Sequence, residues 1–162
     1  MDIVKKELTL EEKATNYETM EHIHTVCHYL NLFIKEMLDR CEKHDQSKLC
    51  SPEVEIFTEF TNKLAGTTYG SDEYKKHLRS MKPTLDHHYA NNAHHPEFYI
   101  NGMEGMTLID LIEMFADWVS ATKRHKDGDI FKSIEINQKR FKYPDMLKKI
   151  FVRTALMIKN SE

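Results

Sequence analysis

Glycine and proline are scarce in this chain, five and four among 162 residues, and the punctuation they supply falls between helical patterns. No segment alternates apolar and polar residues over a convincing length, so no strand pattern emerges. Cysteines number only three. Cys27, Cys41 and Cys50 contain no C-x-x-C spacing, which argues against a disulfide framework and against a thiolate zinc site. A basic surplus is missing as well. The net charge of −3 disfavours a protein that wraps nucleic-acid polymer or lies on an anionic membrane. It leaves room for a small phosphorylated molecule, which needs only a local basic cluster. No apolar run approaches the ~18 residues of a membrane span, and the N-terminal Met-Asp-Ile-Val-Lys-Lys-Glu lacks the apolar stretch of a signal peptide. The expectation is a cytoplasmic protein with one domain over 1–162, residues 1–15 forming a peripheral N-terminal segment.

What is present is helical periodicity. Ile23, Val26, Leu30, Phe33, Met37 and Cys41 recur at three- and four-residue steps, which predicts one amphipathic helix or two placed end to end. Ser51-Pro52-Glu53 reads as an N-cap, a proline at the first helical position and an acid in the first turn, with Gly66 as the stop. Gly70-Ser71-Asp72-Glu73 opens another helix, which Pro83 must kink or restart. Thr107 caps an apolar helix from about Leu108 to Arg124, and two further helices follow the Asp127-Gly128-Asp129 turn, divided near Tyr143-Pro144. The expected fold is an all-α bundle of six to seven helices, with the Leu108–Arg124 helix central.

Onto this scaffold the sequence places metal-ligand chemistry. In Glu42-Lys43-His44-Asp45-Gln46-Ser47-Lys48 an imidazole and a carboxylate stand side by side, two ligand types offered from one backbone corner. Lys48 follows four residues after His44 and suits an anionic substrate. Asp110, Glu113 and Asp117 sit at i, i+3 and i+7 on an otherwise apolar helix. Stacked like charges repel, so the stripe is either a solvated face or one that a cation neutralises, with Asp117 the favoured partner of that cation. The run Asp86-His87-His88-Tyr89-Ala90-Asn91-Asn92-Ala93-His94-His95-Pro96-Glu97 packs two His-His pairs into nine residues. If helical, it would align His87 with His94 and His88 with His95. At least two of these four are expected to touch metal or substrate. His77 and His125 lack such neighbours and are expected to lie on the surface.

Three features together resemble the HD-domain family of metal-dependent phosphohydrolases: His22 with Val26, then His44-Asp45 followed by Lys48, then Ala116-Asp117. Over roughly residues 20 to 155 the chain also resembles a group of small bacterial and phage proteins with no settled activity. The shared residues are His44-Asp45-x-Ser47-Lys48, His87-His88…Asn92-x-His94-His95-Pro96-Glu97 and Asp110…Glu113-Met114…Asp117-Trp118. The HD resemblance implies His22, His44, Asp45 and Asp117 as ligands of a divalent transition metal (Mn, Fe, Co, Ni or Zn), joined by His88 and His95 as in the two-metal members. It implies hydrolysis of a phosphorus ester or anhydride by metal-activated water. Lys48, Asn92 and Arg124 would hold substrate, and Glu113 or His94 would act as general acid or base. A nucleotide or nucleoside monophosphate is the substrate class to try first. The run carries serine at 47 where HD proteins usually carry glycine.

Spacing sets one condition. A straight helix from His22 to His44 would be about 33 Å long, so sharing an ion requires a break between Tyr29 and Leu38, where Asn31 is the only plausible breaker. Without it, two other classes stay open. Glu21-His22-Ile23-His24 holds a Glu-x-x-His unit like those of di-iron carboxylate bundles, although no second unit follows. Alternatively, the histidines and acids form a structural network in a non-enzymatic helical binding or modulator protein.

Overall fold

The computed structural model describes residues 7–68, 71–124 and 128–161. Within them the chain is all-α, with seven helices and no strand. They are α1 (Leu10–Lys43), α2 (Glu53–Ala65), α3 (Asp72–Ser80), α4 (Lys82–Asn91), α5 (Leu108–Lys123), α6 (Ile130–Phe141) and α7 (Asp145–Lys159). Short 3-10 turns at Gln46–Leu49, Pro96–Phe98 and Gly102–Gly105 connect them. None of the described helices is long and apolar enough to cross a membrane.

The chain divides into two compact units, Met1–Asp39 and Arg40–Glu162. The first is α1 up to Asp39. It opens on a capping box in which the Thr9 hydroxyl accepts from the Glu12 amide at 3.2 Å and Glu12 accepts from the Thr9 amide at 2.8 Å. From Leu10 to Lys43 the helix is continuous, one helix and not two end to end, and none of its residues is buried.

The second unit holds the hydrophobic core. Met114, Phe115 and Trp118 of α5 pack with Ile134 of α6, with Tyr143, and with Phe151 and Ala155 of α7. Phe115 stacks on Phe151 at 5.0 Å between ring centres, and the Tyr143 hydroxyl donates to the Ile134 carbonyl at 2.7 Å. The central position expected for α5 follows from this packing, since three of the seven buried core residues are its own.

Helix boundaries mostly follow local chemistry. Thr107 forms a capping box with Asp110, Ser71 accepts from the Tyr74 amide, and Pro83 lies in the first turn of α4, which restarts the chain after α3. One cap differs from expectation. Pro52 occupies the N-cap position of α2 itself and Ser51 makes no capping bond, so helix residues begin with Glu53. Gly66 does end α2, but in right-handed geometry, so the left-handed glycine stop is not used there.

Candidate metal centre

All side chains of the site come from the Arg40–Glu162 unit. The last turn of α1 carries Arg40, and His44 follows the helix directly. The backbone then reverses at Asp45, whose φ of 56° and ψ of 16° lie in the left-handed region. Aspartate tolerates that region better than most side chains, though at some cost, and such costs persist where the surroundings demand them. The reversal turns the Asp45 carboxylate toward histidines far along the chain. Those histidines are gathered by a helix end. α4 stops at Asn91, Asn92 is extended, and its amide nitrogen donates to the His88 carbonyl at 2.7 Å and to the Ser47 hydroxyl at 2.9 Å. The chain thereby folds back, so that the His94 and His95 rings lie 6.1 Å and 4.8 Å from that of His88. The helical alignment expected for 87–95 is therefore not what unites them. His88 and His95 do meet, but across a turn, and His87 turns its Nδ1 to Glu53.

Three imidazoles share one plan. His88 turns Nδ1 to Glu53 at 2.9 Å, while His94 and His44 turn Nδ1 to Glu113 at 3.1 Å and 2.9 Å. A carboxylate only accepts, so in each ring Nδ1 carries the proton. The Nε2 atoms point the other way, to Asp45: His88 at 3.3 Å and His94 at 3.5 Å from Oδ1, His44 at 3.5 Å from Oδ2. Once Nδ1 holds the proton of a neutral ring, Nε2 presents a lone pair. Lone pairs then face carboxylate oxygens across a buried gap. Asp45 Oδ1 and His94 Nε2 are indeed buried without a hydrogen-bond partner. A cation, extra protons or a bridging water would relieve that arrangement.

The donor set fits an ion. One nitrogen each from His88, His94 and His95 and an oxygen of Asp45 all lie within 4.8 Å of one another. The His88–His95 Nε2 pair is 2.9 Å apart. A tetrahedron with ~2.1 Å metal–ligand bonds has edges of about 3.4 Å, inside the range these contacts span. A second group, His44, Asp45 and Asp117, uses the other side of Asp45, with Asp117 at 3.9 Å from His44 Nε2. A third, His44, His94 and Glu113, surrounds the backing glutamate.

Electrostatics follow from burial and these pairings. The Glu113 hydrogen bond raises the His44 pKa against the opposing effect of burial. Burial lowers that of His88, and takes His95 down to about 2 with help from the neighbouring His94 and His88. Burial also pushes Asp45 up, but Lys48, which donates to its Oδ2 at 2.5 Å, outweighs this and holds the carboxyl low. Glu113 is likewise held low, the bonds from His44 and His94 overcoming its burial.

Two supporting carboxylates differ in how visible they are in sequence. Glu113 was expected as an acid or base. Here it accepts from Arg40 at 3.1 Å as well as from both histidines, so it holds imidazoles in place. Glu53 reads in sequence as a helix-start acid only. In the fold it is fully buried and accepts from His88, from His87 at 2.7 Å and from Ser47 at 3.0 Å. Arg40, also without a sequence signal, pairs with the buried Asp110 at 2.7 Å. Asp110 in turn accepts from the Tyr99 hydroxyl and from Thr107. The acidic stripe on α5 is thus neutralised by Arg40 and histidines, and Asp117, its most open member, is half-buried instead of enclosed.

The remaining expected residues divide clearly. His44, Asp45, Asp117, His88 and His95 come together, with His94 among them as a further ligand candidate. His22 does not join: α1 has no break between Tyr29 and Leu38, so the condition for sharing an ion with His44 fails. His22, with Glu21 and His24, is exposed and stands in none of the three donor groups among the described residues. Asn92 is buried, and its side-chain amide nitrogen holds Ser47 and the His88 carbonyl. Arg124 is the exposed C-cap of α5. His77, expected on the surface, is half-buried, edge-on to Phe60 and near Glu73, and stands in none of the donor groups. His125 lies outside the described residues.

A cavity of about 350 Å³ adjoins the cluster. His95 and Asp117 form part of its wall, with Lys132 and Arg140 as cations and Tyr89 and Trp118 as aromatic surface. Arg140 is anchored by Glu97 at 2.5 Å and by the Tyr89 hydroxyl at 3.5 Å. The donor groups and this cavity meet at His95 and Asp117, so a bound ion would look into a space that admits a small molecule.

No curated protein and no solved structure matches the chain. The model of a family of unknown function, DUF5662, matches residues 11–161, and the chain belongs to that family.

Proposed function

We propose that this protein is a metal-dependent hydrolase of a small phosphorylated molecule, with the HD-type pair His44-Asp45 at its centre. One observation carries the reading: His44, His88 and His94 are each backed at Nδ1 by a glutamate and turn Nε2 toward Asp45. Carboxylate-backed imidazoles converging on a carboxylate are the arrangement by which proteins orient metal ligands and fix their tautomers. A divalent ion held there would supply the acidification of water that hydrolysis near neutral pH requires. The chain itself supplies the rest. Glu53 and Glu113 orient the imidazoles. Lys48 stands at Asp45, and Lys132 and Arg140 line the adjoining cavity, which supports an anionic substrate. Tyr89 and Trp118 offer flat surface for a ring, so nucleotides and nucleoside monophosphates head the trial set.

A purely structural network is the weaker reading, because a stable network pairs donors with acceptors, and here Asp45 Oδ1 and His94 Nε2 are left facing each other. The deciding experiment is elemental analysis of protein purified without chelator, paired with a phosphatase screen over nucleotides and simple phosphoesters. A retained transition metal, with hydrolysis that chelator abolishes and metal restores, is the expected result. Protein that neither retains nor takes up metal sinks the proposal.

A further inference from the structure

α1 carries a second unassigned feature. Counted in heptads from Met20 as position a, the a, d and g positions through Met37 are Met20, Ile23, Val26, Cys27, Leu30, Phe33, Ile34 and Met37. Every one is apolar. The charged residues of the same stretch, Glu21, Lys35 and Glu36, all fall on b and c. Three apolar positions in seven is the pattern of a helix that faces a core. Yet α1 has no buried residue, and Ile23, Leu30, Phe33 and Ile34 remain 56%, 54%, 49% and 49% exposed.

We propose that this face pairs with α1 of a second copy of the chain. Its exposed side chains amount to roughly 700 Å² of apolar surface, above the few hundred Å² monomers usually leave open and close to the ~800 Å² each partner gives a stable interface. The helices α5, α6 and α7 pack one apolar face each into the common core, although Met146, Ile150, Leu156 and Met157 of α7 stay exposed outside it. Two copies of the face also meet without like-charge contact, because a, d and g carry no charge and e carries only His24 and Asn31 across this stretch. A lipid surface is a poorer match, since the opposite face holds Glu21 and Glu36 against one lysine and lacks the Lys/Arg-rich polar face that anionic headgroups attract.

The test is the solution mass of the full chain by light scattering at micromolar concentration. Wild type is expected at twice the chain mass, and Leu30→Glu with Ile34→Glu at the single-chain mass. Leu32→Glu, on the f position of the same helix, is expected to stay dimeric. Leu30→Ser with Ile34→Ser repeats the readout without adding charge, should the glutamate pair fold poorly. A monomeric wild type overturns the proposal, and one that also floats with phosphatidylcholine vesicles assigns the face to lipid. A dimer that survives both double variants, or one that Leu32→Glu breaks equally, also overturns it.

Discussion

The two sides of Asp45 are built differently. On the Oδ1 side stand His88, His94 and His95, closely spaced, the first two fully buried, their orientations set by carboxylates and by the turn at Asn92. On the Oδ2 side stand His44 and Asp117, each about three-tenths exposed and spaced at 3.5–3.9 Å, and here the Lys48 ammonium already touches the carboxylate. The first is a closed set of imidazoles, the second an open one with a resident positive charge. Affinity for an ion should therefore rest on the Oδ1 side, and exchange with solvent and substrate on the Oδ2 side.

The largest effect should come from the residue common to both sides. Asp45→Ala is expected to remove bound metal and hydrolysis together, measured by elemental analysis and a phosphatase assay. Its stability separates the readings. If Asp45 serves an ion, the metal-free variant should unfold close to the temperature of metal-free wild type, because relief of the facing lone pairs offsets loss of the Lys48 pair. If it serves a structural network, unpaired donors should cost on the order of 1–3 kcal/mol.

Next come the backing carboxylates. Glu53→Gln touches only the Oδ1 side, and its metal affinity should fall by ~10–100-fold, the range typical when a ligand's outer partner is lost. Titration with a metallochromic indicator gives the value; unchanged affinity would break the claim that the Oδ1 side holds the ion.

Smaller still should be Asp117→Asn on the open side. A modest fall in affinity with a larger fall in kcat is expected, and an effect as severe as that of Glu53→Gln would erase the distinction between the sides. Lys48→Met should leave metal content unchanged and raise KM by ~10-fold, roughly one charge-assisted hydrogen bond.

The smallest predicted effect is a pH response in the metal-free protein. Burial pushes the Asp110 carboxyl up, but bonds from Thr107 and Tyr99 and the charge of Arg40 hold it below its usual range. A folded-state pKa below the unfolded one contributes stability above about pH 4, lost as pH falls through the folded value. Thermal unfolding between pH 6 and pH 3 should therefore steepen for wild type relative to Asp110→Asn.

Much of this was legible in sequence for local reasons. Thr107, Ser71 and Pro83 announce helix starts because capping depends on residues within one turn. His44-Asp45 stood out because adjacency alone offers two ligand types. The 87–95 cluster was visible by composition, but its geometry was misread: Asn92 ends the helix, so proximity of His88 and His95 comes from a turn and not from helical repeat. Glu53 and Arg40 were invisible because an acid at a helix start and a base at a helix end are what any solvated helix shows. Only their long-range partners give them meaning.

By itself, the sequence determined the all-α class, most helix boundaries and the residue types of the donor set, since periodicity, capping and side-chain chemistry are properties of short windows. The tertiary structure alone decided which donors share a space. It left His22 out because α1 does not break, brought in His94, and set Glu53 behind His88 across 35 positions of chain. Ligand geometry depends on contacts between residues far apart in the chain, and no local pattern encodes those.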